Sequence, residues 1–344
     1  MAKIFVTGVA GFLGSHLADA MLARGHKVIG IDNMIGGELA NVPDKVEFHQ
    51  IDCNDFAEVR ALVDGCDVVY HCAATAYEGL SVFSPHVVTR NIVGASTSVF
   101  SASIAGGVKR IVHCSSMARY GVGMRNPETF ELIGPPFKEF YTPNPQDPYG
   151  IGKYCAEQML INLCNTHHVQ YVIAVPHNII GPRQKYDDPY RNVASIMLNL
   201  MLQDRTPTIY GDGEQKRCFS YIDDCLDCLV KMAFEPQVVN QIINIGPDEE
   251  PVTIRELYNR CAAATGFNGE PNFMPGRPQE VKIALCSSDK ARRLLDYQTK
   301  TPLNQGLAAM RDFILSRGVR PFKYHLDLEI VTDKTPKTWL NKLF

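Results

Sequence analysis

The chain has 344 residues, 45% hydrophobic and 21% charged, a mix that excludes disorder over most of its length and leaves room for more than one packed region. Lys and Arg number 34 against 37 Asp and Glu, and the net charge of -3 argues against a broadly basic nucleic-acid surface. No apolar run reaches the roughly 18 residues that suggest a membrane span, so neither nucleic acid nor a membrane is an expected partner.

The start, Met1-Ala2-Lys3-Ile4-Phe5-Val6, flows into a glycine motif and does not read as a removable signal. From there short β-branched runs alternate with longer helical patterns. Strands are predicted at Ile4–Thr7, Lys27–Ile31, Val46–Gln50, Val68–His71, Arg110–Cys114 and Tyr171–Val175. Helices are predicted near Phe12–Arg24, Phe56–Val63, Pro85–Ile104 and Tyr149–Cys164. This alternation predicts an α/β fold, a Rossmann-type doubly wound parallel sheet covered on both faces. After Asn178 Pro and Gly become frequent and strands shorten. The expected division is a first domain over 1–177, a smaller lobe over 178–317 interleaved with returns to the sheet, and a wrapping tail over 318–344 that holds the only tryptophan, Trp339.

The eleven cysteines are an odd set, and Cys66, Cys72, Cys114 and Cys286 lie singly inside apolar patterns. A disulfide framework would be an even set in a short chain. Cys225 and Cys228 sit at a helix start without the second ligand pair a zinc site needs, and the histidines show no ligand spacing, so no metal is assigned. Reduced, mostly buried thiols and a cytoplasmic location are the expectation.

Strand Ile4–Thr7 runs into Gly8-Val9-Ala10-Gly11-Phe12-Leu13-Gly14, a G-x-x-G-x-x-G turn opening a helix. A turn without Cβ atoms lets backbone N–H groups approach a pyrophosphate at a helix N-terminus. The second strand ends in Asp32 and Asn33, which puts a carboxylate 18 residues past Gly14, near the offset expected for an acid that accepts the adenosine ribose hydroxyls. No Arg follows closely, so NAD is favoured over NADP. Asp52 and Cys53, past the third strand, border the adenine or simply form a strand-end turn.

Tyr149 and Lys153 form Tyr-x-x-x-Lys and share one helix face. A nearby ammonium favours the phenolate of a group whose pKa is ordinarily near 10. Ser115 and Ser116 follow strand Arg110–Cys114, at the strand end where open α/β sheets bind ligands.

In these motifs the chain resembles the extended short-chain dehydrogenase/reductase superfamily, in its nucleotide-sugar epimerase/dehydratase branch, over about residues 3–315. The resemblance matches Gly8, Gly11 and Gly14 to the cofactor turn, His71-Cys72-Ala73-Ala74 to a cofactor-bordering strand end, and Asn91 to a helix asparagine. Ser116, Tyr149 and Lys153 match its catalytic triad. It further implies that Asn178 faces the sugar diphosphate, Arg217 contacts phosphate, Tyr210 borders the nucleobase, and Arg277 and Glu280 hold diphosphate and ribose. Cys218 departs from the family's usual Asp. A tightly held NAD, a UDP-sugar substrate and a homodimer paired through the helices near Pro85–Ile104 and Tyr149–Cys164 are implied as well.

The chemistry of that family begins with oxidation at the sugar C4. An epimerase returns hydride to the other face and needs no further acid or base. A 4,6-dehydratase carries an Asp-Glu pair after its active-site Thr, where this chain has Met117 and Ala118, neither able to transfer a proton. This favours 4-epimerisation of a UDP-glucose, UDP-N-acetylglucosamine or UDP-glucuronate type substrate. Glu78 is either a structural or sugar-hydroxyl ligand, or the acid/base of an unusual dehydratase. An NAD-binding regulator on a retired enzyme fold is the non-enzymatic alternative, against which the intact triad argues.

Overall fold

A computed structural model describes all of residues 1–344. Seven strands form one sheet: β1 (Lys3–Thr7), β2 (Lys27–Ile31), β3 (Glu47–His49), β4 (Val68–His71), β5 (Arg110–Cys114), β6 (Gln170–Pro176) and β7 (Gln241–Ile245). Their order is β3-β2-β1-β4-β5-β6-β7, and every neighbouring pair is parallel. Six follow the predicted runs, with β3 shorter than expected. The seventh is one of the returns to the sheet from the second half of the chain.

Alternation along β1 shows why both faces are apolar. Ile4 and Val6 join one cluster of 27 buried residues, while Phe5 joins another of 23 on the opposite face. Each fully buried aliphatic side chain contributes about 1.5–3 kcal/mol relative to leaving it in water. Thr7 pairs with Ile31 on one side and His71 on the other, so β1, β2 and β4 end level. Chain order reverses between β1 and β4, which opens the crevice where such sheets bind ligands.

Helices α1 (Phe12–Ala23), α2 (Phe56–Val63), α3 (Ala95–Ala105) and α4 (Pro148–His167) cover the sheet; of those that follow, α5 (Val193–Met201), α6 (Ile222–Met232), α7 (Ile254–Thr265) and α8 (Leu303–Arg317), only α6 packs against it. Asp147 starts α4 by accepting the Gly150 N–H, with Pro148 at the first helical position; left-handed His168 ends it. The helix predicted over Pro85–Ile104 is interrupted: Pro85–Thr89 leads into a wide π turn at Arg90–Gly94 before α3 begins. Periodicity alone does not reveal one extra residue in a helical path.

Helices α5, α7 and α8 pack together around Met197, Leu257 and Leu307 in a separate cluster of 16 buried residues. The segment 318–344 has one short helical turn, Lys337–Leu340, and buries Trp339 against Tyr77, Leu80, Phe83 and Tyr190. All eleven cysteines are free thiols, nine of them buried. No helix is long and apolar enough to cross a membrane.

Candidate active site

The strand ends open into a cleft of about 490 Å³. At its floor Gly8 adopts φ +72°, its N–H donating to the Ile31 carbonyl at 2.8 Å while the Gly11 N–H donates to the Gly8 carbonyl at 3.0 Å. A Cβ on Gly8 would lie 2.9 Å from both Cα and N of Ala73, and one on Gly14 would run into the Gly8 carbonyl. Side chains are excluded there. Phe12, Leu13 and Gly14 open α1 without a side-chain cap, and they line the cleft.

Asp32 is buried at the end of β2, accepting the Ala10 N–H at 3.1 Å and the Met34 N–H at 2.8 Å. Burial raises its pKa, opposed by those N–H groups and by Arg191. Beside it Asn33 donates to Asp52 at 2.9 Å, and burial pushes the Cys53 thiol up to about 12. The Ala73 N–H donates to the Thr7 hydroxyl at 3.1 Å, Ala74 lines the same wall, and the Asn91 amide donates to Thr75 at 3.0 Å.

Ser116 lies at the turn after β5, its Oγ accepting the Ala118 N–H at 3.2 Å. Tyr149 comes from the first turn of α4, with its ring walled by Val88, Ile92 and Ala118. Lys153 lies one turn further on, its Nζ donating to the Cys114 carbonyl at 2.8 Å and 6.0 Å from the centre of the Tyr149 ring. The three come together, but one expectation needs correction. Burial pushes the Tyr149 phenol above its ordinary value; Ser116 pulls it down, whereas the Glu78 and Asp147 carboxylates push it further up. Lys153 alone does not make the phenol acidic, because its ammonium is engaged by a carbonyl and is itself desolvated, which lowers its pKa to about 8.

On the opposite wall Asn178, at φ +44°, donates to the Cys218 carbonyl at 3.0 Å. A backbone carbonyl of Cys218 makes this contact, and its buried side chain does not reach the cleft lining. Arg217 is held by the Lys216 and Val281 carbonyls, each at 2.8 Å. Arg277 donates to Glu280 at 3.0 Å, with its guanidinium carbon 4.8 Å from the centre of the Tyr210 ring. Glu78 is open to the cleft but enclosed by the protein around it; burial raises its pKa, and Arg217 and Arg277 oppose that shift.

Two residues near the reacting end carry no expectation above. Arg191 lies over the Tyr77 ring, 4.9 Å from its centre, with its Nε 3.4 Å from Asp188 and without a hydrogen-bond partner. Only the fold brings it to the cleft, so no local pattern announces it. Asp147 is announced: an acid before Pro at a helix start is a capping signature. It is buried and accepts the Gly150 N–H at 2.8 Å. Burial, then the Glu78 charge, raises its pKa from 3.8 to about 7. The folded chain therefore keeps this proton where the unfolded chain has lost it. The resulting stability is complete below about pH 4 and is lost as pH rises through about 7. Asp147→Asn keeps the cap and removes the titration. Its urea midpoint relative to the wild type is expected to rise between pH 5 and pH 8; a pH-independent difference would contradict the shift.

The sequence profile of the NAD dependent epimerase/dehydratase family matches residues 4–246. The chain belongs to this family. A UDP-glucose 4-epimerase of Mycolicibacterium smegmatis is 33% identical over 326 residues, covering 92% of this chain and 99% of the relative. The crystal structure of the Thermotoga maritima UDP-glucose 4-epimerase with UDP-glucose superimposes with a TM-score of 0.82 at 28% identity, covering 92% of this chain and 99% of that one. A UDP-glucuronic acid 4-epimerase of Bacillus cereus, in complex with UDP-glucuronic acid and NAD, gives a TM-score of 0.82 at 29% identity, covering 92% of this chain and 100% of that one. Membership in the NAD dependent epimerase/dehydratase family accords with a parallel sheet that opens at its switch point beneath a side-chain-free turn.

Proposed function

We propose that the protein is an NAD-dependent nucleotide-sugar 4-epimerase that acts on a UDP-hexose of the glucose, N-acetylglucosamine or glucuronate type. One observation carries this reading: Ser116, Tyr149 and Lys153 meet in one cleft, while Met117 and Ala118, which follow Ser116, offer no group to expel a C6 hydroxyl. The similarity to 4-epimerases along nearly the whole chain supports it.

The residues present fit the cofactor, since Gly8 and Gly14 pack backbone against backbone where no Cβ fits, which makes a tight turn that brings an uncapped helix start to the cleft. Gly8, Gly11, Phe12, Leu13 and Gly14 would hold the pyrophosphate. Asp32 and Asn33 would take the adenosine ribose, and Asp52 and Cys53 the adenine. Ala73, Ala74, Asn91, Tyr149 and Lys153 would take the nicotinamide end. Bound NAD⁺ supplies a reversible hydride acceptor and a positive charge.

With the positive charges of Lys153 and of bound NAD⁺ together favouring its phenolate, Tyr149 would take the C4 hydroxyl proton and later return it, and the Ser116 hydroxyl would donate to the same sugar oxygen. Lys153, held in place by the Cys114 carbonyl, keeps a positive charge 6.0 Å from the centre of the Tyr149 ring. Asn178, Arg217, Arg277 and Glu280 grip the diphosphate and ribose, with Tyr210 at the nucleobase and Glu78 at the sugar. In this reading residues 1–177 hold the cofactor and 178–317 the nucleotide sugar. It extends to a cytoplasmic homodimer paired through the helical stretch near Pro85–Ile104 and through α4, in keeping with free thiols and with Ile151 exposed on α4.

Incubation with UDP-glucose, UDP-N-acetylglucosamine and UDP-glucuronate, followed by NMR, is expected to show inversion at C4 of at least one sugar. A 4-keto-6-deoxy product would establish a dehydratase instead. NAD binding without conversion of any sugar would establish a regulator.

A further inference from the structure

The segment from Gly318 to Phe344 is held by side chains, with little secondary structure of its own. Its Glu329 carboxylate accepts the His86 and Val87 N–H groups at 2.8 and 2.9 Å, capping the short helix Pro85–Thr89. Tyr190 donates to the Leu326 carbonyl at 3.0 Å, and the Trp339 indole donates to the Pro189 carbonyl at 3.2 Å.

These anchors bring Trp339 to the cleft and set Thr338, itself fully buried, against Tyr210, which lines it. The Thr338 hydroxyl bonds the Tyr210 hydroxyl, and the Thr338 carbonyl accepts from Tyr324 at 3.0 Å. Trp339 and Arg277 crowd the same point: a Cβ on Gly79 would lie 3.4 Å from Trp339 Cη2 and 3.2 Å from Arg277 Nη1. Trp339 is only 4% exposed, yet it lines the cleft. Arg277 is thus held by the Tyr210 ring on one side and by Glu280 at its end, while Trp339 bounds the same space over Gly79. Its Nε and Glu280 Oε2 are buried without hydrogen-bond partners, which leaves one donor and one acceptor that the protein does not satisfy. Such a pair matches the phosphate oxygens and hydroxyls of a nucleoside diphosphate.

We propose that Thr338 and Trp339 are positioning residues of the nucleotide subsite: Thr338 holds Tyr210, on whose ring Arg277 lies, and Trp339 bounds the space over Gly79 that the Arg277 guanidinium enters, so that together they set the geometry that receives a nucleoside diphosphate. The tail is thereby part of the substrate site. The choice of UDP as ligand rests on the epimerase reading above.

The test is calorimetric binding of UDP to the NAD-loaded enzyme, alongside steady-state kinetics. Trp339→Ala is expected to weaken UDP about 10–100-fold, as loss of a buried aromatic anchor does. It should raise KM for the UDP-sugar far more than it lowers kcat, with bound NAD unchanged. Trp339→Phe should recover most of the affinity, which a loss of fold would not allow. Thr338→Val, a milder change that keeps the packing, is expected to weaken UDP about 3–10-fold. Folded variants that bind UDP within twofold of the wild type overturn the proposal, and Thr338→Val alone decides it if Trp339→Ala does not fold. A wild type that binds UDP but converts no sugar overturns the epimerase reading and leaves the variant comparison standing. A wild type that binds no UDP overturns both.

Discussion

Tyr149→Phe is expected to lower kcat by about 10²–10⁴-fold, the usual contribution of a positioned proton-transfer group. The ring keeps its wall of Val88, Ile92 and Ala118, so only the oxygen is lost. Bound NAD, read from the absorbance of cofactor released on denaturation, and the UDP dissociation constant should stay at wild-type values. Activity within tenfold of the wild type would move the base elsewhere, with Glu78 and Asp147 the carboxylates whose charges reach the phenol.

Glu157→Ala is expected to cost about 3–5 kcal/mol of unfolding free energy, measured from urea curves at constant slope. Glu157 projects from α4 into complete burial, pairs with Arg119 Nη2 at 3.0 Å and accepts from the Ser115 hydroxyl. Arg119, itself buried, donates to the Tyr120 hydroxyl at 3.2 Å. Removing the carboxylate leaves a desolvated cation with no counter-charge, the costly way to break such a pair. Arg119→Ala combined with Glu157→Ala should cost less than the two single changes added together. The pair also ties the turn after β5 to α4, the two elements that bring Ser116 and Tyr149 to one place. The single variant should therefore lose activity even where it remains folded. A loss of under about 1 kcal/mol would show the charges to be uncoupled.

Local patterns sufficed for the parallel sheet, because strands buried on both faces read as continuous β-branched runs such as Ile111-Val112 and Val172-Ile173. They sufficed for the positions of Gly8, Asp32 and the Ser116–Tyr149–Lys153 set, because these lie at strand ends or on one helix turn. Long-range contacts were not legible. Arg191, Glu157 and Thr338 sit in stretches whose local pattern is ordinary, and their partners Tyr77, Arg119 and Tyr210 are assigned by tertiary packing. Protonation was illegible for the same reason. The spacing of Tyr149 and Lys153 put an ammonium near a phenol, but burial and two carboxylates decide which way the phenol shifts.

The π turn at Arg90–Gly94 lets one continuous helical path serve two surfaces. Before and within it, Val88 and Ile92 form the wall of Tyr149; after it, Val99 and Ala102 join the core beneath the sheet. One additional residue turns the following helix by about 100° relative to a regular α-helix. Deleting a single residue here would re-phase one surface against the other, swinging either the Tyr149 wall or the sheet contacts out of place. This outer helical stretch thus has a fixed length of chain between two faces, so insertions and deletions are better accommodated in the exposed connection around Glu128.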